Sequence, residues 1–187
     1  MALLAAAIDV FSDVGFAAGT TKMIAEKAKV TRGALQYHFS SKEDMIVAVV
    51  DHAMNQLNFR FNGEEHVHKS IGERLELILA NYREAFSSPT FLAVIHIYLG
   101  VRKDPHLSHI ISRQHALSRK AINKTWVDLF PEAANDPEKL STLRRITMGI
   151  IRGYVVGEAL GGSNFWPQDE IAVRAILQEQ INKLIAS

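Results

Sequence analysis

Three of the chain's five prolines directly follow a residue that caps helices: Ser88-Pro89, Asp104-Pro105 and Asp136-Pro137. A side-chain oxygen at the N-cap, then proline at the first helical position where its missing N–H is no loss, marks three helix starts. Between those marks the apolar residues recur at helical spacing. Ile71, Leu75, Ile78, Leu79, Tyr82 and Phe86 form one stripe; Leu107, Ile110, Ile111, Leu117, Ile122, Trp126 and Leu129 form a second, broader one. Phe91 to Val101 is apolar nearly all round and reads as a buried central helix. No alternating run bounded by hairpin signals occurs, so the expected class is all-α.

With 187 residues and 48% apolar composition the chain can bury a substantial core, as one large domain or a small one joined to a larger. It has no cysteine, which excludes disulfides, thiol nucleophiles and thiolate metal sites together. No apolar run approaches the roughly 18 residues of a membrane span. Met1 to Val10 has neither a basic flank nor a cleavage-like site, so a signal peptide is not expected. The expectation is a reduced, cytoplasmic protein without membrane association. Elbow, phosphate-loop, dinucleotide and zinc-protease motifs are all missing, which leaves an all-α enzyme as a remote alternative. His66-x-His68 and His106-x-x-His109 are the only close histidine pairs, and neither has a clear acidic partner in register. No metal or other cofactor is expected.

The overall charge of +1 conceals a local asymmetry. Between Thr20 and Lys42 stand Lys22, Lys27, Lys29, Arg32 and Lys42 against Glu26, a local net of +4. Alone, such a cluster reads as a solvated helical face; facing phosphates, it supports nucleic-acid binding. The first 44 residues divide into short helices. Leu3, Leu4, Ala7, Ile8, Val10 and Phe11 make an amphipathic helix that stops near Gly15. Thr20 or Thr21 caps a second, Lys22 to Ala28. After Lys29-Val30, Thr31 caps a third that runs to about His38. Ser40 or Ser41 caps a fourth, with Glu43 or Asp44 at the third position of a capping box. Two short helices joined by a tight turn, the second opened by a threonine cap, describe a helix-turn-helix.

The stretch GFAAGTTKMIAEKAKVTRGALQYHFSSKEDMIVAV resembles the DNA-binding domain of the TetR family of transcriptional regulators. The matching positions are Gly15, Phe16, Thr20, Thr21, Ile24, Ala25, Ala28, Val30, Thr31, Gly33, Leu35, Tyr37, His38, Phe39, Ser41 and Lys42. The resemblance implies about nine helices, with a DNA-binding domain at 1–44 and a helical regulatory and dimerisation domain at 45–187. A groove-entering helix needs small residues near its start, which Gly33 and Ala34 supply. Thr31, Arg32 and Gln36 are candidates for base edges or phosphates, with Arg32 suited to guanine and Gln36 to adenine. Tyr37 and His38 stand where the family uses such side chains against the backbone or a thymine methyl. Thr20, Thr21, Lys22 and Lys42 are candidates for phosphate. Leu35 and Phe39 are expected in the domain core. The bland alternative is a three-helix packing domain that touches no DNA. One departure from the family is Lys29, at a turn position that usually holds glycine.

Gly149, Gly153, Gly157 and Gly161 recur every four residues on one helical ridge. Such a ridge lets another helix approach closely, either within the chain or from a second copy. The resemblance implies a homodimer whose last two helices form the interface, reading an inverted-repeat operator in double-stranded DNA. It also implies a small-molecule effector. Phe86, Phe91, His96, Tyr98, His115 and Trp126, with Met148, Ile151 and Val155 opposite the glycine ridge, are the candidate lining residues for a mostly apolar ligand. The leading expectation is a repressor released by that effector. The alternatives are an activator, or a DNA-binding regulator controlled by a protein partner.

Overall fold

All three Ser/Asp-Pro pairs open helices in the computed structural model, which describes residues 2–58, 66–159 and 166–186. Ser88 Oγ accepts from Phe91 N at 3.2 Å, Asp104 Oδ1 from His106 N at 3.0 Å, and Asp136 Oδ1 from Lys139 N at 3.0 Å. Each cap satisfies an N–H that a helix start leaves without an intrahelical partner. In order, the helices are α1 (Ala2–Ala18), α2 (Thr21–Lys27), α3 (Arg32–His38), α4 (Lys42–Asn58), α5 (Ile71–Phe86), α6 (Pro89–Val101) and α7 (Pro105–Leu129). A 3-10 turn, Pro131–Ala133, precedes α8 (Pro137–Ala159) and α9 (Trp166–Ile185). The described residues contain no strand, and no single helix among them is long and apolar enough to cross a membrane.

The packing divides into two compact units. One holds the residues up to Gln56 with Ser87–Ser118; the other holds Leu57–Phe86 with the residues from Arg119 onward. In the first unit α1 buries Leu3, Ala6, Ala7, Ile8, Val10 and Phe11, and packs along α6. The helix breaks at Gly15, which adopts φ 78°, a conformation that glycine takes without a Cβ clash. Further along the α1–α6 contact, a Cβ at Gly100 would lie 2.3 Å from Phe16 Cδ1, so only glycine admits that approach.

Helix α6 departs from the all-round burial that its sequence suggests. Ala93, Val94, Ile97 and Val101 are buried, whereas Leu92 and Leu99 face outward, Leu99 with 54% exposure. An apolar run shows that burial is tolerated at every position, but α6 has packing partners on only part of its circumference. Leu117 likewise lies outside the core, at 58% exposure: it falls in line with half-buried Ile110, at the edge of the α7 stripe.

In the second unit α5 packs against α8 and α9, and α8 also contacts α9. Leu75, Ile78, Leu79, Tyr82 and Phe86 bury the predicted face of α5. Trp126 donates its indole N–H to the Tyr82 hydroxyl oxygen at 2.8 Å, joining α7 to α5 through a fully buried pair. Val173, Leu177, Ile181 and Leu184 supply the buried face of α9.

Candidate nucleic-acid interface

The helix-turn-helix is assembled by three caps and one strained residue. Thr20 Oγ1 accepts from Met23 N at 3.2 Å and opens α2. The chain then turns through Lys29 at φ 55°, with Lys29 N donating to Glu26 O at 3.1 Å and Val30 N to Ala25 O at 3.0 Å. This left-handed residue at the helix end closes the C-terminal carbonyls in the way a glycine usually does, here with a side chain present. Thr31 Oγ1 accepts from Ala34 N at 3.1 Å and opens α3. Ser41 and Asp44 complete a reciprocal capping box at the start of α4: Ser41 N donates to Asp44 Oδ2 at 3.0 Å and Asp44 N to Ser41 Oγ at 3.1 Å. Ile24, Ala25 and Leu35 are buried and hold α2 and α3 together, while Phe39 is only half-buried.

With Leu35 turned inward, α3 offers an almost wholly exposed face. Thr31, Arg32, Gly33, Gln36, Tyr37 and His38 are all exposed. Tyr37 is 87% exposed, with its ring edge-on to His38 at 5.4 Å between centroids. A large aromatic so far out contributes nothing to the buried core. At Gly33 an added Cβ would meet only Thr31 Oγ1, at 3.9 Å, so the approach to this face is open. Thr20 and Lys22 are exposed and Thr21 is half-buried at the start of α2.

The five basic residues counted in the sequence are not equivalent. Lys27 lies 3.2 Å from Asp13 and 3.4 Å from Asp9, carboxylates of α1, and the hydrogen bond to Asp13 is the largest influence raising its pKa. Lys22 lies 3.9 Å from Glu26 on its own helix. Lys42 turns inward: its ammonium donates to the Phe16 carbonyl oxygen at 2.7 Å and sits 4.2 Å from the Phe16 ring centroid, and burial lowers its pKa. Lys29 and Arg32 remain without an acidic partner among the described residues, flanking the start of α3.

The candidate effector residues divide between the units. In the first, Phe91 and His96 are half-buried, and the Tyr98 hydroxyl is hydrogen-bonded to His115 Nε2, with ring centroids 5.0 Å apart. In the second, Phe86, Trp126, Met148 and Ile151 are buried and Val155 is half-buried. The same face of α8 carries Arg144, four residues before Met148 and seven before Ile151, with 4% exposure. Sequence reasoning missed it, although a cation in register with an apolar stripe was the available signal. Gly149, Gly153 and Gly157 face away: a Cβ at any of them would meet nothing within 4 Å. Among the described residues no helix packs against them. With Ile150 and Tyr154 they line an open groove of about 400 Å³. Gly161 lies outside the described residues. Among those residues, no three metal-binding side chains converge.

Residues 3–49 match the sequence model of the bacterial regulatory proteins of the tetR family. The chain is 40% identical over 58 residues to the A-factor receptor protein of Streptomyces griseus, an alignment spanning 31% of this chain and 21% of that protein. It is 21% identical over 168 residues to the HTH-type transcriptional regulator CymR of Pseudomonas putida, spanning 90% of this chain and 80% of CymR. Among solved structures, a TetR family transcriptional regulator from Vibrio parahaemolyticus superimposes with a TM-score of 0.74 at 17% identity, covering 96% of both chains. The regulator FadR of Bacillus subtilis, solved in complex with stearoyl-CoA, gives 0.66 at 18% identity, covering 99% of this chain and 97% of that one. At such identities the superpositions establish the fold alone.

Proposed function

Because the chain belongs to the TetR family of transcriptional regulators, we propose that it is a homodimeric DNA-binding repressor, released from an inverted-repeat operator by a small, mostly apolar effector. The observation that carries the DNA reading is the exposed face of α3, where Tyr37 stands 87% exposed beside Arg32, Gln36 and His38. A side chain of that size has no folding reason to be there and a clear recognition one. Residues 1–44 read the DNA in this proposal, and 45–187 provide dimerisation and effector binding. Two copies of α3, about 34–36 Å apart, address successive major grooves on one side of the duplex. The effector acts by binding more tightly to a conformer in which that spacing is lost. The relatives named as a receptor and solved with stearoyl-CoA support a small-molecule response.

Selection of bound duplexes from a random pool at fixed moderate salt tests the reading. The expected result is an enriched inverted repeat, with affinity for it falling about 10- to 100-fold in Tyr37→Ala or Gln36→Ala. Enrichment of no sequence, with only weak and salt-sensitive binding, would reduce the site to a basic patch without sequence recognition.

A further inference from the structure

The second unit buries two arginines with opposite electrostatic surroundings. Arg74 has its guanidinium matched by Glu132, at 2.6 and 3.0 Å, and also donates to the Leu129 carbonyl. Arg144, equally buried, has no carboxylate partner among the described residues. One guanidinium nitrogen donates to the thioether of Met148 at 3.0 Å, a weak acceptor, and Nε, like that of Arg74, has no partner among the described residues. The ionisable groups close enough to act on it are the Tyr82 hydroxyl and three further cations, Arg119, Arg145 and Arg152. An arginine does not escape this position by losing its proton. A desolvated, uncompensated charge is strongly unfavourable, and one facing other cations more so.

We propose that Arg144 anchors the carboxylate of an organic effector whose apolar body lies against the aromatic and aliphatic side chains around it. This proposal rests on the effector-responsive reading above and names the ligand class. The planar guanidinium has two or more free N–H groups in the fork that a carboxylate matches. Tyr82 lies beside it, and its oxygen already accepts from Trp126, which leaves the O–H to donate to the same anion. Burial pushes the Tyr82 pKa up to about 12, so the hydroxyl keeps its proton at neutral pH. Met148 is the group an incoming carboxylate displaces, and its flexible, polarizable side chain gives way readily. A monoanion is favoured over a phosphate because two of the three neighbouring cations are engaged elsewhere. Arg145 donates to Ser141 and Thr142 Oγ atoms, and Arg152 donates to the Met148 carbonyl and lies 5.8 Å from the Phe86 ring centroid.

The test titrates the full chain, without DNA, with benzoate, its neutral counterpart benzamide, and phenyl phosphate, following calorimetric heat and the thermal midpoint. Benzoate is expected to bind saturably, and at least about tenfold more tightly than either of the others. Arg144→Met and Arg144→Gln are expected to lose that preference, and Arg144→Met to melt at or above the unliganded wild type because the uncompensated charge is gone. The proposal is overturned by no benzoate binding, by equal binding of benzamide, by stronger binding of phenyl phosphate, or by a benzoate preference that survives in both variants. A purely structural role would instead lower the melting point of both variants and leave the wild type without anion preference. A separate titration on selected operator DNA keeps the two readings apart. Carboxylate binding that leaves operator affinity unchanged sinks the effector-responsive regulator and leaves the anion site standing; operator selection without carboxylate binding does the reverse.

Discussion

Arg74 and Glu132 meet in a two-point contact, Nη2 to Oε1 at 2.6 Å and Nη1 to Oε2 at 3.0 Å, with the arginine buried on α5 and the carboxylate in the 3-10 turn before α8. The hydrogen bond from Arg74 is the largest influence on the Glu132 carboxyl and holds its pKa below the ordinary 4.5. A carboxyl more acidic in the folded state than in the unfolded one contributes stability that is complete above the unfolded value. That contribution disappears as the pH falls through the lower, folded value. Glu132→Gln is therefore expected to flatten the acid limb of stability below about pH 4.5. At neutral pH it should cost about 2 kcal/mol, less than a fully buried pair, because the Glu132 side chain is 40% exposed. Urea denaturation at pH 7 and at several points down to pH 3 measures both effects.

Lys42 and Lys29 carry the same charge and are expected to behave oppositely. Lys42 is tied to the Phe16 carbonyl and ring, so Lys42→Ala should lower stability by about 1–2 kcal/mol and leave the salt dependence of DNA binding almost unchanged. Lys29→Ala and Arg32→Ala remove cations with no acidic partner beside α3, and each is expected to reduce the slope of log affinity against log salt by about one. Parallel chemical denaturation and salt titrations on the selected operator separate the two patterns. An unchanged slope in both Lys29→Ala and Arg32→Ala would remove them from the interface.

Lys29→Gly isolates the strain at the turn. At φ 55° the lysine Cβ is crowded in a way that glycine is not. The replacement is expected to raise stability by about 0.5–1 kcal/mol, partly opposed by the freer unfolded chain. Operator affinity should fall at the same time. That trade of stability for affinity, read from a denaturation midpoint and a binding curve on one preparation, marks a residue kept for contact with DNA.

Much of this architecture is legible in local chemistry, because caps and turns depend on neighbours in sequence. Ser88, Asp104, Asp136, Thr20, Thr31 and the Ser41–Asp44 box all act within four residues of where they stand. The Ser70–Glu73 box that opens α5 is equally local, carried by its Ser-x-x-Glu spacing. What depends on partners from distant segments was less legible. The inward turn of Lys42 needs Phe16, and the neutralisation of Lys27 needs Asp9 and Asp13, all on α1. A charge count over residues 20–42 cannot register either. The burial of Arg144 is hard to read from sequence for the complementary reason: periodicity weighs apolar residues, and a buried cation is an interruption in the pattern rather than part of it.

The glycine face of α8 yields the sharpest test of assembly, because the monomer and dimer readings predict opposite consequences for the same change. Nothing lies within 4 Å of a Cβ at Gly153, and the groove along Gly149, Gly153 and Gly157 is open. In an isolated chain a larger residue fits there without strain, and replacing a helical glycine stabilises by up to about 1 kcal/mol. In a dimer closed through this face, the same side chain stands where the partner helix must approach. Gly153→Arg is therefore expected to leave helicity intact, convert a dimer to a monomer in sedimentation velocity, and reduce binding of an inverted repeat to the level of a single half-site. A variant that gains stability and keeps both its sedimentation coefficient and its operator affinity would move the dimer interface to another surface.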